Sequence, residues 1–196
     1  MRPDTKYYHY FFAALWLAVA FGVQYLVPED PLKIVAFVSG YASIGLAIIV
    51  FAVCLSPLSR VLRHPFVTSL LANRRYIGLW GCAFAWTHVA LAVAHLLGGD
   101  LGLIFQPDGF MLLLGLLALT IVTALALTSS DGMVRLLGGQ NWKRLHSLVY
   151  VAVLLVAVHA FNIGKVVFAT DWAKWALVGV VVLVALFKAR HQFKFF

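Results

Sequence analysis

Charge is scarce in this chain: Lys, Arg, Asp and Glu make up 11% of its 196 residues, and only seven are acids. A soluble globular domain carries about a quarter charged residues. That shortage, with 63% hydrophobic residues and a mean hydropathy of +0.96, excludes an ordinary soluble domain and points to lipid. Cysteine is rarer still. Cys54 and Cys82 stand alone on different apolar stretches, so there is no disulfide framework or paired-cysteine metal motif, and both are expected to be buried free thiols. Low-complexity tracts and clear internal repeats are also missing.

What remains is long hydrophobic runs. Six stretches of about 20 residues are long enough to span a bilayer as helices: 7–27, 32–55, 75–97, 109–129, 145–163 and 172–187. Breakers punctuate the intervals, with Pro28 and Pro31, Pro57 and Pro65, Gly98 and Gly99, and Gly138 and Gly139. Short loops make one bundle, a single domain over 1–196. Arg2 and Lys6 ahead of an apolar run with Ala18-Val19-Ala20 have the outline of a signal peptide. The run continues to Val27, so it is read as a retained transmembrane helix. The stretch after Phe187 is too short for a nucleotide-binding module, so a donor that uses nicotinamide is expected to be another protein.

Basic residues set the orientation. Twelve of the fifteen Lys and Arg fall at the N-terminus (Arg2, Lys6), in the second loop (Arg60, Arg63, Arg74, Arg75), in the fourth (Arg135, Lys143, Arg144) and at the C-terminus (Lys188, Arg190, Lys194). Positive charge collects on the cytoplasmic side. The expected fold is therefore an all-α membrane protein, a six-transmembrane-helix bundle with both termini cytoplasmic. Lys33, Lys165 and Lys174 lie on the far side with Glu29, Asp30, Asp100, Asp108 and Asp171. The net charge of +8 then reflects topology and contact with anionic lipid, not nucleic acid.

His88 and His159 are each a lone imidazole deep in a hydrophobic span. Ionisable groups in hydrocarbon are costly, so the pair either marks a functional path or is two core histidines with their hydrogen bonds met. Neutral imidazole suits a low-spin haem iron, and two from different helices would trap the porphyrin between them. Counting about 1.5 Å per residue, His88 lies about 20 Å beyond Arg75 and His159 about 22 Å beyond Arg144, at matching depth. The third span also carries Arg74, Gly81, His88 and His95 at seven-residue spacing, close to one line on a helix. On that line Gly81 either lets a flat ring approach the backbone or serves ordinary helix packing. His95 is an outer-surface hydrogen-bonding group or an alternative ligand. His146 and His159, thirteen apart, are about 140° out of phase on an ideal helix, so they face one cofactor stack only if the helix is distorted. His146, only two residues after Arg144, is either interfacial or a cofactor residue, and His9, His64 and His191 read as interfacial.

The stretches RRYIGLWGCAFAWTHVAL, ALTSSDGMVRLLGG and NWKRLHSLVYVAVLLVAVHAF resemble the MsrQ family, haem-binding membrane subunits of bacterial methionine sulfoxide reductase systems. That family is similar to the ferric-reductase-like transmembrane domains of NADPH oxidases and STEAP metalloreductases. The resemblance covers Leu55 to Phe161. It implies haem histidines at His88, His146 and His159 and paired arginines at Arg74 and Arg75. Fourteen residues before His88, where relatives with two bis-histidine haems have another histidine, this chain has Arg74. The inner site of His146, Arg74 and Arg75 is thus expected to take FMN, a quinone or a haem with one histidine ligand. The chain also reads SGYASIGL where MsrQ-like sequences tend to carry an arginine.

The expected function is that of a haem b electron-transfer subunit in the bacterial inner membrane, with His88 and His159 as axial ligands of the haem iron. Electrons would come from a cytoplasmic flavin reductase or membrane quinol. The resemblance implies a periplasmic molybdenum-cofactor methionine sulfoxide reductase as acceptor, repairing oxidised Met. Two alternatives stand beside it: a stand-alone ferric or oxygen reductase, and a transporter or proton channel using His88, His95 and His159 as a relay. The absence of any acid deep in a span weighs against the relay.

Overall fold

The computed structural model describes residues 5–28 and 30–192. Arg2, Glu29 and Lys194, and the side chains of Lys188, Arg190 and His191, lie outside what it describes. Among the described residues every regular element is helical. The principal helices are α1 (Thr5–Leu26), α2 (Asp30–Val61), α3 (Pro65–Ala72), α4 (Arg74–Leu91), α5 (Phe110–Leu127), α6 (Asp131–Leu137), α7 (Gly139–His146), α8 (Val149–Ile163) and α9 (Asp171–Gln192). Five stretches, Thr5–Leu26, Asp30–Val61, Arg74–Leu96, Pro107–Leu127 and Gly139–Ile163, are long and apolar enough to cross a membrane. Helix α9 adds a further 22 residues.

Local chemistry explains where several elements begin and bend. His64 caps α3 by accepting from the Phe66 amide at 3.2 Å, with Pro65 in the first turn. Ser130 caps α6 in the same way through the Met133 amide at 3.1 Å. Pro57 was expected to close the second span, yet α2 runs through it to Val61. A proline removes one amide donor and crowds one carbonyl, a local cost that a long apolar helix tolerates in a membrane. The third span leaves α geometry at Ala92–Leu96, a π turn, before Gly98 and Gly99 reverse the chain at φ +60° and +83°. The fifth span is two helices, α7 and α8, divided at Ser147 and Leu148.

Helices α2 and α4 make the most extensive contact in the bundle, followed by α5 and α8. Glycines set the first. A Cβ on Gly45 would stand 3.0 Å from the Cβ of Phe84, and one on Gly81 only 2.6 Å from Cγ1 of Ile49. Close backbone approach of this kind replaces the hydrophobic driving force that helices lack in lipid. Phe84, Leu55 and Ile77 are fully buried along the same seam. Helix α1 is fastened to it by polar bonds, from Trp16 Nε1 to Thr87 Oγ1 at 3.0 Å and from Trp80 Nε1 to His9 Nδ1 at 3.1 Å. Many large apolar side chains, among them Phe21, Tyr25 and Leu127, remain exposed, as a lipid-facing surface requires.

Candidate functional site

The α2–α4 and α5–α8 pairs each carry one histidine to the space between them. His88 projects from α4, and its Nδ1 lies 2.9 Å from the Val38 carbonyl of α2. His159 projects from α8, and its Nδ1 lies 2.8 Å from the Met111 carbonyl of α5. A carbonyl only accepts, so each Nδ1 carries the proton and donates. The lone pair of each ring is thereby left on Nε2, the arrangement by which proteins fix the tautomer of a metal-binding histidine. Gly115 makes the second tether feasible: a Cβ there would stand 2.8 Å from both Cε1 and Nδ1 of His159.

The two rings have centroids 6.4 Å apart and planes at 84°. A metal–imidazole bond of about 2 Å, continued about 1 Å to the ring centre, puts trans ligands about 6 Å apart between centroids. Both rings line a cavity of about 280 Å³. Its remaining walls are almost entirely hydrocarbon, supplied by residues such as Leu46, Ile49, Leu119, Val122 and Val153. Ser39, Ser43 and Lys165 are the other polar side chains on it, and the buried Oγ of Ser43 has no hydrogen-bond partner. The donor set, two neutral nitrogens across an apolar gap, fits a flat macrocycle that brings its own metal. Among the described residues no cluster of three ligating side chains offers a bare ion a site.

The other residues singled out from the sequence fall elsewhere. Gly81 belongs to the α2–α4 seam and does not line the cavity. His95 sits exposed in the π turn, also away from the lining. The wider π turn advances each residue through less than the α-helical angle, so His95 falls behind the line through Gly81 and His88. His146 ends α7, stacked on Trp142 at 3.9 Å between centroids. Its Nε2 lies 3.2 Å from Thr128 Oγ1, which gives its own proton to the Ala124 carbonyl at 2.8 Å. His146 Nε2 must then be the donor, so in this arrangement that nitrogen carries a proton and offers no lone pair.

Arg74 and Arg75 stand within electrostatic range of His146, so the structure does bring these three residues to one end. Arg75, however, is paired with Asp131 at 2.5 Å. The hydrogen bond from Arg75, its charge, and the lesser influence of Arg135 hold the Asp131 carboxyl below its ordinary range. Arg74 is exposed. Cys82 is buried and Cys54 half-buried, both as free thiols.

Sequence reasoning missed Gly115, the two backbone carbonyls and Lys165 as parts of this region. Only Gly115 left a trace, as the lone glycine of the apolar α5.

An apolar cavity between two helix pairs, each of which brings one backbone-tethered imidazole to its wall, defines the class: a multi-pass helical membrane protein with a largely hydrocarbon cavity inside the bundle. The family described as ferric reductase like transmembrane component matches residues 39–157. The chain is 30% identical over 190 residues to the protein-methionine-sulfoxide reductase heme-binding subunit MsrQ of Cronobacter sakazakii (strain ATCC BAA-894), covering 93% of this chain and 88% of that protein. It is 28% identical over 208 residues to the MsrQ subunit of Yersinia pseudotuberculosis serotype O:1b (strain IP 31758), covering 98% and 95%. The same identity and length hold for that of Yersinia pestis (strain Pestoides F), with 98% and 93% covered. The chain therefore belongs to the ferric-reductase-like transmembrane family and, within it, to the MsrQ family.

Proposed function

We propose that this chain is a haem-carrying electron-transfer subunit that holds one haem b between His88 and His159. The observation that carries the reading is the 6.4 Å separation of two rings whose Nδ1 atoms are both spent on backbone carbonyls. The naming of its relatives as heme-binding subunits supports the same cofactor. When bound, the haem supplies one-electron transfer, which no side chain here provides. The chain's own residues do the rest. The Val38 and Met111 carbonyls fix the plane and tautomer of each imidazole and raise its basicity. The hydrocarbon walls exclude water and lower the local dielectric, which tunes the potential of the iron.

In this reading α9 is a sixth crossing, both termini are cytoplasmic, and the bundle lies in the bacterial inner membrane, as the distribution of Lys and Arg supports. Electrons enter at the end that carries His146, Arg74 and Arg75, from a cytoplasmic flavin reductase or from quinol. FMN, a quinone or a second haem occupies that inner site. Trp142 stacked on His146 offers a planar surface there, and exposed Arg74 a cation for a phosphate. Electrons leave on the periplasmic side to a molybdenum-cofactor methionine sulfoxide reductase, in keeping with the name its relatives bear. A proton relay is disfavoured because no acid lines the cavity among the described residues.

The test is the oxidised and reduced visible spectrum with haem per chain, for the wild type and for His88→Ala, His159→Ala and His146→Ala. Expected is a low-spin b-type spectrum at one haem per chain, lost with either of the first two variants and kept in the third. Absence of haem after haem-supplemented expression, or its full retention in both His88→Ala and His159→Ala, overturns the reading. Failure of both quinol and a flavin reductase to reduce the bound haem would remove the electron-entry part of it.

A further inference from the structure

The cavity is chemically two-ended. Its deep end, around Ile49, Val122 and Val153, is hydrocarbon, whereas Lys165 lines the opposite end and is the one charged side chain on the wall among the described residues. Three described lysines lie at this end of the bundle, and two are engaged. Lys33 pairs with Asp30 at 3.0 Å, and the Lys174 ammonium lies 5.5 Å from the centre of the Phe161 ring. Among the described residues Lys165 has no ion pair or hydrogen bond.

The backbone holds Lys165 over the cavity at a cost. Val166, the next residue, has φ +56° and is the only non-glycine residue with positive φ among those described. A β-branched residue is a rare occupant of that region, and such strain persists only where packing enforces it. The packing is present. Phe168 joins the cluster of Leu46, Ala160 and Leu177, and a Cβ on Gly164 would stand 2.6 Å from the Cβ of Phe168. The chain leaving α8 therefore doubles back, so that Gly164, Lys165 and Phe168 all line the cavity.

We propose that Lys165 binds the carboxylates on the propionate edge of the haem, giving the macrocycle one orientation with that edge at the mouth and its apolar edge toward Ile49, Val122 and Val153. The inference rests on the haem reading above. It adds a residue that neither the histidine spacing nor the family resemblance marks. A free ammonium at the rim of an apolar slot suits a flat apolar ligand with anionic groups along one side, because only that side needs a counter-charge.

The experiment compares haem with haem dimethyl ester, whose carboxylates are masked, for binding to the full-length apo-protein in detergent. Wild type, Lys165→Met, Lys165→Arg and His88→Ala are titrated with each. Lys165 is exposed, so neither substitution disturbs a packed core. Expected is a wild-type preference for the free acid of roughly fivefold, the range of a solvent-accessible ion pair. Lys165→Met should abolish that preference and Lys165→Arg should keep it. Equal affinity of the wild type for both ligands, or a preference that survives in Lys165→Met, overturns the assignment while His88-dependent binding leaves the haem reading intact. If neither ligand binds in a His88-dependent way, the haem reading fails and this assignment with it.

Discussion

His88 and His159 cross at 84°, each held in that plane by its own backbone tether. Neither ring can rotate without giving up a hydrogen bond to a carbonyl of the neighbouring helix, so the crossed arrangement belongs to the scaffold. Were both rings to bind one haem iron, as proposed, perpendicular imidazoles would leave two iron d orbitals close in energy, whereas parallel ones would split them. The oxidised haem-loaded protein is therefore expected to give a strongly anisotropic low-spin EPR signal with a single prominent low-field feature. A well-resolved rhombic signal would mean that the rings turn parallel on binding and that the tethers do not control them.

Gly115 is the position where one methyl group tests the site directly. An added Cβ at 2.8 Å from His159 Nδ1 and Cε1 must push the ring off the Met111 carbonyl or move α5 away from α8. Gly115→Ala is expected to cost about 1–3 kcal/mol, as overpacking does, and to lower haem occupancy. Gly78 is the control, since nothing lies within 4 Å of its added Cβ. Gly78→Ala should be neutral or stabilising by up to about 1 kcal/mol, because alanine is the better helix former. Melting curves in detergent with haem-to-protein ratios measure both, and similar losses in the two variants would contradict this role for Gly115.

The depth of His88 was legible because α4 rises by a fixed amount per residue from Arg75, whereas the count from Arg144 to His159 crosses the break at Ser147 and Leu148. The tethers of the two histidines were not legible. Val38 and Met111 act through carbonyls, and no letter of the sequence distinguishes one backbone oxygen from another. Periodicity failed where α4 departs from ideality, since the π turn takes His95 off the line; His146 and His159, out of phase on an ideal helix, do lie apart, His146 against Thr128 and His159 on the cavity. Lys165 was read only as a marker of orientation, since its place over the cavity depends on a turn at Val166 that no propensity favours.

Gly81 separates helix packing from cofactor contact. Its added Cβ would meet Ile49 Cγ1 at 2.6 Å, on the α2 seam; Gly81 itself is off the cavity lining, although Ile49 also forms part of that wall. Gly81→Ala is expected to lose about 1–3 kcal/mol of stability, with an unchanged Soret maximum in the protein that folds. Ile49→Ala in the same chain removes the clashing atom and should recover part of the loss, as residues in contact are coupled. A shifted spectrum in Gly81→Ala with no recovery in the double variant would return Gly81 to the cofactor's surroundings.

Asp131 gives the loop end of the bundle a pH response whose sign is fixed. Its carboxyl titrates below the ordinary range because Arg75 donates to it and stands beside it. The unfolded chain has no such partner and titrates near the usual value of about 3.9. Between those two values the unfolded state binds more protons, so stability rises with pH across the window and is constant above it. The contribution is fully present at neutral pH and is lost as pH falls through the lowered value of the folded protein. Both side chains are substantially exposed, so the effect is small and salt-screened. Unfolding temperatures of wild type and Asp131→Asn, compared across acid and neutral pH, should differ by a constant amount above about pH 5 and converge in stronger acid. Added salt should narrow the neutral-pH difference. A gap that stays the same in strong acid would show that Asp131 acts there through its shape and hydrogen bonding, and not through its charge.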